Sequence, residues 1–314
     1  MKDYYIQPDA PDPVLDESTV MGLVRRHLPE ARAMTIVDES GGEARTYRID
    51  DHWILKTQRP QQLRPRTSLK KEVFFLNQLR DLPGISVPTV LGHGRDGEHI
   101  EYTLMTRMDG VAIKHADLEG EARQQVLFDL GRMLRRIHAL PQQPFIDSRL
   151  LPGDHSPIDV RWRFGNVFEE ALDLIRERGQ SWDFPLDPVT VSRRAMRFLP
   201  DVDTWVALHS NPGPEHVFVN PDTRRLSGII DFGDAYFGHP VNDLRRWRSP
   251  EDREAIFAGY IKENPVSDNF IHTWKVAQAL TDVIALGLNP ELRQQITGEL
   301  ERILSEFEQA GETA

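Results

Sequence analysis

Hydrophobic residues follow two different spacings along the chain. Between residues 30 and 107, short runs of β-branched and aromatic residues alternate with turn residues, which is typical of antiparallel strands. One helix interrupts these runs, because apolar residues recur at helical spacing over residues 68–80, and Ser68 is its predicted N-cap. The predicted strands cover residues 34–37, 46–49, 53–56, 87–91 and 102–106, with a polar turn over 94–98.

Helical spacing dominates the rest of the chain. Residues 17–28 carry one amphipathic stripe ahead of the strands, and residues 121–140 carry the clearest one behind them. A short β-rich island over residues 217–219 and 226–231 interrupts the helical part. The pattern predicts an α+β fold, with a small antiparallel sheet followed by a larger, mostly helical part.

Composition narrows the class of protein. Of the 314 residues, 39% are hydrophobic and 28% are charged, as expected for a folded globular protein. The net charge of -11 argues against a broad phosphate-binding surface, so we expect no nucleic acid partner. The same acidity favours cationic substrates in an acidic cleft, although a mildly acidic surface is also ordinary in soluble proteins.

Some kinds of chemistry and location are disfavoured by what the sequence lacks. It contains no cysteine, which excludes disulfides, thiolate zinc sites and a cysteine nucleophile. The first residues lack the basic and apolar regions of a signal peptide, and no apolar run approaches the roughly 20 residues that span a bilayer. We therefore expect no membrane association and a cytoplasmic location.

The segment 208–244 has the most informative spacing in the chain. A loop that begins at His209 precedes a short hairpin, and an apolar strand then delivers Asp231, Phe232 and Gly233. Phosphoryl transfer demands little covalent chemistry from a protein. It needs a residue that orients or receives the hydroxyl proton, metal ligands on the phosphates, and a lysine near the α- and β-phosphates.

This segment resembles the aminoglycoside phosphotransferase and choline kinase family, which is related to the protein kinases, and the resemblance covers residues 30–250. The family pattern is His-Gly-Asp-x-x-x-x-Asn, then an Asp-Phe-Gly-like sequence, then Gly-x-Pro-x-x-Asp-Leu. The matching residues are His209, Ser210, Asn211 and His216, then 231–233, then Gly238, Pro240, Asp243 and Leu244. The resemblance implies a bilobal protein-kinase-like fold, with an arm and nucleotide-binding lobe over 1–107 and a helical lobe over 108–314.

The resemblance also implies roles for four of these residues. Asp231 would coordinate magnesium, which suits a carboxylate, although it would otherwise cap a turn. His216 stands where the family more often has a metal-binding Asn; macrolide kinases resemble this chain in carrying His there, and the alternative is a hydrogen-bonding loop histidine. His209 would tie the loop to the core rather than act as a base. Asp243 would brace the loop, or it would cap a helix before Leu244.

Asn211 departs from the family pattern at the position of the catalytic base. The matching residue is an Asp that accepts or orients the substrate hydroxyl, whereas a neutral amide cannot usefully take a proton. Loss of general-base help costs a factor of about 10² to 10⁴ in rate. Three interpretations stay open: an engineered Asp-to-Asn substitution, which we favour, a natural pseudokinase, and an enzyme that relies on positioning alone.

The nucleotide-binding residues implied by the resemblance lie upstream. Lys56 ends a predicted strand, as the phosphate-binding lysine of the family does, and Glu72 lies one turn into the next helix, where it would hold the lysine ammonium. The alternatives are a solvated lysine and a surface ion pair of Glu72 with neighbouring lysines. Gly41 and Gly42 resemble the loop that covers the nucleotide but lack a full glycine-rich motif.

The sequence thus predicts an ATP-dependent phosphotransferase that uses Mg²⁺ and phosphorylates a hydroxyl of a small molecule, such as an aminoglycoside or another antibiotic. GTP is not excluded as the donor, and the oligomeric state is open. The alternative is a nucleotide-binding pseudokinase with a regulatory role. Three acidic residues would meet ammonium groups of the acceptor or form a solvated helix face: Glu251, Asp252 and Glu254. Three tryptophans would stack on a ring of the acceptor or fill the core: Trp162, Trp247 and Trp274.

Overall fold

A five-stranded antiparallel sheet forms the first part of the computed structural model, which describes residues 12, 14–59, 68–97, 100–178, 182, 184–202 and 204–312. The strands lie in the order β1, β2, β3, β5, β4. Their bounds are Met34–Asp38 for β1, Ala44–Ile49 for β2, Trp53–Gln58 for β3, Val90–Asp96 for β4 and Ile100–Thr106 for β5.

Each face of this sheet packs against one helix, because successive side chains of a strand point to opposite faces. Helix α1 (Glu17–Arg25) covers the face that carries Leu55 and Leu104. Helix α2 (Ser68–Leu79) packs on β3, β4 and β5, and its buried apolar residues and Met105 belong to a large core that continues into the helical part of the chain. The alternation therefore places Lys56, which follows Leu55, on the side of α2.

The second part is mostly helical and contains the larger core. Three short strands form one sheet, in the order β6, β8, β9, and β7 pairs with β10. The strands are β6 (Val111–Ala112), β7 (Val206–Leu208), β8 (Val217–Asn220), β9 (Arg225–Ile229) and β10 (Tyr236–Gly238). The helices are α3 (Gly120–His138), α4 (Gln143–Ser148), α5 (Pro157–Arg178), α6 (Pro188–Arg197), α7 (Val241–Leu244), α8 (Pro250–Ile261), α9 (Asp268–Leu288) and α10 (Arg293–Glu312).

The α+β, bilobal fold class is confirmed, but β4 was placed wrongly. We predicted a strand over 87–91 and a turn over 94–98, whereas β4 extends to Asp96 and the turn begins at Gly97, where φ is +62°. Glycines misled the prediction, since they read as turn residues. A Cβ on Gly92 would lie 2.3 Å from the His27 ring, so this glycine allows His27, in the turn after α1, to pack on the strand.

Two further predictions concern the ends of elements. Ser68 is the first residue of α2 rather than its N-cap, and its hydroxyl donates to Oε1 of Gln58 at 2.6 Å. The cap position precedes it, outside the described residues. The division of the chain at residues 107 and 108 stays a prediction. None of the described helices combines the length and hydropathy needed to cross a bilayer.

Helices α3 and α8 approach each other through glycines. A Cβ on Gly131 would lie 1.9 Å from the carbonyl oxygen of Ile256, and a Cβ on Gly259 would lie 1.9 Å from that of Phe128. Both neighbours are backbone atoms, which no change of rotamer can move. The helix that ends at His138 is thereby held directly against the helix that carries Tyr260.

We predict that Gly131→Ala destabilises the protein by about 3 kcal/mol or more, because the added methyl forces the two helices apart. The matched control is Gly165→Ala in α5, where a Cβ meets nothing within 4 Å. It should stabilise the protein by about 0.5–1 kcal/mol, since alanine favours helix. Calorimetric melting of both variants tests this; equal melting temperatures would contradict the close contact.

Candidate active site

Lys56 lies between two carboxylates from different parts of the chain. Its Nζ is 3.0 Å from Oε2 of Glu72 on α2 and 2.6 Å from Oδ1 of Asp231, which follows β9. The Glu72 residue is only 1% exposed. The structure therefore brings together the lysine, the helix glutamate and the aspartate that the sequence singled out.

The electrostatics of this group follow from burial and opposite charge. Burial would lower the pKa of the Lys56 ammonium, but the carboxylates of Glu72 and Asp231 outweigh it and raise that pKa well above its ordinary value. Burial would likewise raise the pKa of Asp231, but Lys56 and His216 hold it well below its ordinary value. The lysine is thus charged, and Asp231 is ionised, over the whole physiological pH range.

His209 is held as one neutral tautomer. Its Nε2 lies 2.8 Å from the carbonyl oxygen of Ile230, which only accepts, so Nε2 carries the proton. Its Nδ1 accepts from the backbone N–H of Asn211 at 3.1 Å. Burial lowers the pKa of the ring, in agreement with a neutral state. Both ring nitrogens are occupied, so His209 joins two loops and has no lone pair for a substrate proton.

Asp243 holds the loop of residues 209–211 through hydrogen bonds to its backbone. Its carboxylate accepts from the backbone N–H of His209 at 2.9 Å and of Ser210 at 2.8 Å, and it lies 3.0 Å from Nε2 of His138. Burial would raise the pKa of Asp243, but the hydrogen bond from His138 and nearby charge lower it. The alternative of a helix cap is wrong, because Asp243 lies inside α7, whose N-cap is Pro240.

Two loop residues adopt left-handed backbone conformations. Ser210 has φ +84° and Asp231 has φ +70°, in a region that costs L-residues free energy and that persists only where surrounding contacts enforce it. The family pattern has glycine at the position of Ser210. Asp243 is the enforcing contact there, since it binds the N–H of Ser210 itself.

His216 and Asp231 face each other across the loop. Nδ1 of His216 is 2.8 Å from the carbonyl oxygen of Asn211, to which it donates, so Nε2 is left toward Oδ2 of Asp231 at 3.4 Å. The second ring nitrogen of His216 and the Asp231 carboxylate therefore face the same point. An imidazole nitrogen and a carboxylate oxygen in this arrangement can both ligate one cation.

Asp231 and His216 fit a magnesium ion that is also bound by phosphate, rather than one held by protein ligands alone. Among the described residues, no cluster of three or more His, Cys, Asp or Glu side chains is placed to hold a metal. Asp231 and His216 alone would leave most positions of an octahedral ion open, and Mg²⁺ prefers to fill such positions with substrate phosphates and water. The donor set thus matches an ion that arrives with a nucleotide.

Sequence reasoning named Phe232 without a packing role and missed His138, and both residues connect these loops to the core. Phe232 packs on Phe75 of α2, with ring centroids 4.8 Å apart, and on His209, at 4.4 Å. His138 links Asp243 to the hydroxyl of Tyr260, 3.1 Å from its Nδ1. A polar residue at the end of the apolar stripe of α3 was the one available signal for His138.

Gly41 and Gly42 lie in the connection between β1 and β2, as predicted for a covering loop. Arg59, just after β3, donates to the carbonyl oxygen of Gly41 at 3.0 Å and to that of Glu39 at 2.8 Å. These bonds tether the loop to the strand that carries Lys56.

Residues considered for the acceptor fall in different environments. Asp252 pairs with Arg123 through two hydrogen bonds of 2.9 and 2.7 Å, so it is not available to an ammonium group, whereas Glu251 and Glu254 are exposed. Trp247 and Trp274 are buried. Trp162 is 68% exposed, against the expectation of a core role. Glu251 and Glu254 therefore fit a solvated helix face, whereas Asp252 belongs to an ion pair with Arg123.

A buried lysine paired with a helix glutamate, facing an Asp-Phe-Gly loop between a small sheet and a helical lobe, defines a kinase-like phosphotransferase fold. Residues 35–269 match the model of a family described as the phosphotransferase enzyme family. This chain belongs to that family. The expected relation to aminoglycoside phosphotransferases is confirmed.

Individual relatives agree with this assignment. An aminoglycoside 3′-phosphotransferase of Streptomyces ribosidificus is 28% identical over 223 residues, which are 67% of this chain and 76% of the relative. A GDP complex of a mutant aminoglycoside 2′-phosphotransferase-IIIa has a TM-score of 0.62 at 16% identity, covering 94% of this chain and 98% of that chain. The apoenzyme of a macrolide 2′-phosphotransferase from Brachybacterium faecium has a TM-score of 0.57 at 17% identity, covering 91% and 97%. At sequence identities this low, the structural likeness establishes the fold alone.

We predict that Asp243→Asn destabilises the protein by about 3 kcal/mol at pH 7, because an amide cannot accept from both loop N–H groups and His138 together. The lowered folded-state pKa of Asp243 means that its stabilisation is present above its unfolded pKa of about 4 and is lost as the pH falls further. The difference from wild type should therefore narrow in acid. Urea unfolding from pH 7 to 3 measures it.

Asp222→Asn is the matched control for this charge change, since Asp222 is an exposed turn residue. It should change the unfolding free energy by less than about 0.5 kcal/mol at any of these pH values. An Asp243→Asn protein as stable as this control at pH 7 would show that the carboxylate does not brace the loop.

Proposed function

We propose that this chain transfers the γ-phosphoryl group of ATP to a hydroxyl of a small molecule. The observation that carries the proposal is the convergence of Lys56, Asp231 and His216 beside the loop that holds Asn211. In the proposed reaction the acceptor oxygen forms a bond to the γ-phosphorus, the bond to the bridging oxygen breaks, and ADP leaves. The hydroxyl proton goes to residue 211 when it is Asp and to water when it is Asn.

In this proposal the lobe of residues 1–107 binds the nucleotide. Lys56 would contact the α- and β-phosphates as a point charge, while Glu72 holds its ammonium in place. Gly41 and Gly42 would cover the phosphates. Solved relatives carry GDP in one case and ATP in another, so GTP belongs in the test of the donor.

Asp231 and His216 would hold Mg²⁺ together with phosphate oxygens. A bound Mg²⁺ would neutralise charge on the phosphates and orient them for in-line attack. Since Lys56 and Asp231 are in direct contact, a metal-bound nucleotide would have to replace part of this ion pair. His209 and Asp243 would act only by positioning the loop, and the lobe of residues 108–314 would supply the acceptor site.

Residue 211 determines the rate of the proposed reaction. In the described part of the chain the backbone N–H and carbonyl of Asn211 are bonded, to His209 and His216, whereas its side-chain amide has no hydrogen-bond partner. The amide is therefore available to a hydroxyl, which it can orient but cannot deprotonate. We propose that the form with Asn211 binds substrates and turns them over slowly.

We predict that Asn211→Asp raises turnover by a factor of about 10² to 10⁴, since it restores a general base. The measurement is ADP release with Mg-ATP or Mg-GTP and a panel of hydroxyl acceptors that includes an aminoglycoside and a macrolide, because relatives carry these names. Asp231→Asn in the same background should abolish the gain, with the fold intact.

The pseudokinase alternative makes the opposite prediction. If Asn211→Asp binds Mg-ATP and phosphorylates no acceptor in the panel, the chain is a nucleotide-binding regulator rather than an enzyme. If neither form binds Mg-ATP or Mg-GTP, both proposals are wrong.

We predict that Lys56→Met weakens Mg-ATP binding by about 10- to 100-fold, because it removes the phosphate-facing cation and leaves Glu72 and Asp231 uncompensated. Lys262→Met, at the exposed end of α8, removes the same charge elsewhere and should leave the dissociation constant unchanged. Isothermal titration calorimetry with both variants separates a local contact from a general effect of net charge.

A further inference from the structure

Arg163 packs on Tyr236, a residue of β10 beside the catalytic loop, and the charges of Arg245 and Arg246 also act on this tyrosine. Arg163 of α5 lies over the ring of Tyr236, with its guanidinium carbon 4.4 Å from the ring centroid. Burial raises the pKa of the Tyr236 phenol, and the positive charges of Arg163, Arg246 and Arg245 oppose that rise. All three cations therefore act on the same point. We call Arg163, Arg245, Arg246 and Tyr236 the arginine cluster.

The carboxylates near the arginine cluster already have hydrogen-bond partners. Asp154 is bound by Arg163 through Nε and a terminal nitrogen, at 2.8 and 2.7 Å. Asp243 is occupied by the loop N–H groups and His138. Among the described residues, neither Arg245 nor Arg246 forms an ion pair with a carboxylate. Asp159 is a further negative charge close to Arg163, so the excess of positive charge lies at Arg245 and Arg246.

Arg245 is the residue for which this excess is costly. It is only 8% exposed, and the acceptor for its Nε is Oδ1 of Asn242 at 3.2 Å. Its terminal nitrogens have no acceptor among the residues that the structure describes, and they are not sealed from solvent. Burial and the charge of Arg246 lower the pKa of the guanidinium to about 10. A buried cation in this state is stabilised by an added anion.

The cluster is attached to the loop that carries Asn211. Tyr236 pairs with Leu208, the residue before His209. Arg245 and Arg246 lie between Asp243, which binds the N–H groups of the loop, and Trp247, whose Nε1 donates to the carbonyl oxygen of Pro212 at 3.0 Å. Tethers on both sides thus hold the segment that carries the two arginines against the loop of residue 211.

We propose that the arginine cluster is an anion subsite of the acceptor site, so that the small molecule phosphorylated here carries a phosphate or carboxylate group in addition to its hydroxyl. This inference rests on the proposed phosphotransferase function and narrows its acceptor. The inference replaces the cationic acceptor that the acidic composition favoured. Net charge is a property of the whole surface, whereas the arginine cluster sets the charge at one site.

The test uses four acceptors that share a hydroxyl-bearing skeleton and differ in charge: glycerol phosphate, glycerate, glycerol and aminopropanediol. Binding is measured by calorimetry with saturating Mg-ADP, which fills the nucleotide site. We expect glycerol phosphate or glycerate to bind at least about tenfold more tightly than glycerol, and aminopropanediol to bind most weakly. The ratio of the two anions identifies phosphate or carboxylate as the preferred group.

Arg246→Gln tests the cluster without a risk to folding, because Arg246 is exposed. It should weaken anion binding about tenfold and leave Mg-ADP binding unchanged. Arg245→Gln should weaken anion binding further, provided that its circular dichroism matches wild type. Arg176→Gln on α5, which removes an exposed cation paired with Asp173 outside the cluster, is the matched control and should have no effect.

The outcomes separate this inference from the proposed function. If the protein binds Mg-ADP but the anions bind no better than glycerol, or if Arg246→Gln behaves like Arg176→Gln, the anion subsite is wrong and the phosphotransferase proposal stands. If Mg-ADP does not bind, the proposed function fails, and the anion titration is repeated on Lys56→Met, which lacks the competing phosphate cation. A preference for aminopropanediol there or in wild type also overturns the subsite.

Discussion

The ion pairs of the Lys56 ammonium connect the five-stranded sheet, the helix α2 and the Asp-Phe-Gly loop of the helical lobe. Lys56 belongs to the sheet, Glu72 belongs to a helix packed on that sheet, and Asp231 belongs to the helical lobe. Because the Glu72 carboxylate is almost fully removed from water and the Lys56 ammonium is largely so, an isolated charge at either of them would cost several kcal/mol. The position of α2 against the sheet and the position of the Asp-Phe-Gly loop are therefore set by the same cation.

A second buried charge performs the corresponding task on the helical side. Asp243 binds consecutive loop N–H groups and thereby holds Ser210 in a left-handed conformation that it would not adopt alone. His138 and Tyr260 extend this support into the helix pair α3 and α8. The loop that presents residue 211 thus depends on packing well away from the place where a nucleotide would bind.

Much of the fold and of the candidate site followed from the sequence, for physical reasons that differ between residues. Period-two runs located most strands, and the motif spacing located the loop residues, since short loops leave little freedom. The strand β4 was misplaced because the tight packing that Gly92 permits is a tertiary contact. Arg245 gave no signal at all, because an arginine lacking a carboxylate partner is recognisable only once its neighbours in space are known.

The glycine contact between α3 and α8 also limits how this chain can vary. At Gly131 and Gly259 the nearest atoms belong to the facing main chain, so even the smallest side chain overlaps a carbonyl that every sequence possesses. Substitution elsewhere on these helices can be accommodated by repacking, whereas at these positions it cannot. Homologues that keep this helix pair are therefore expected to share both glycines, whatever acceptor they have evolved to bind.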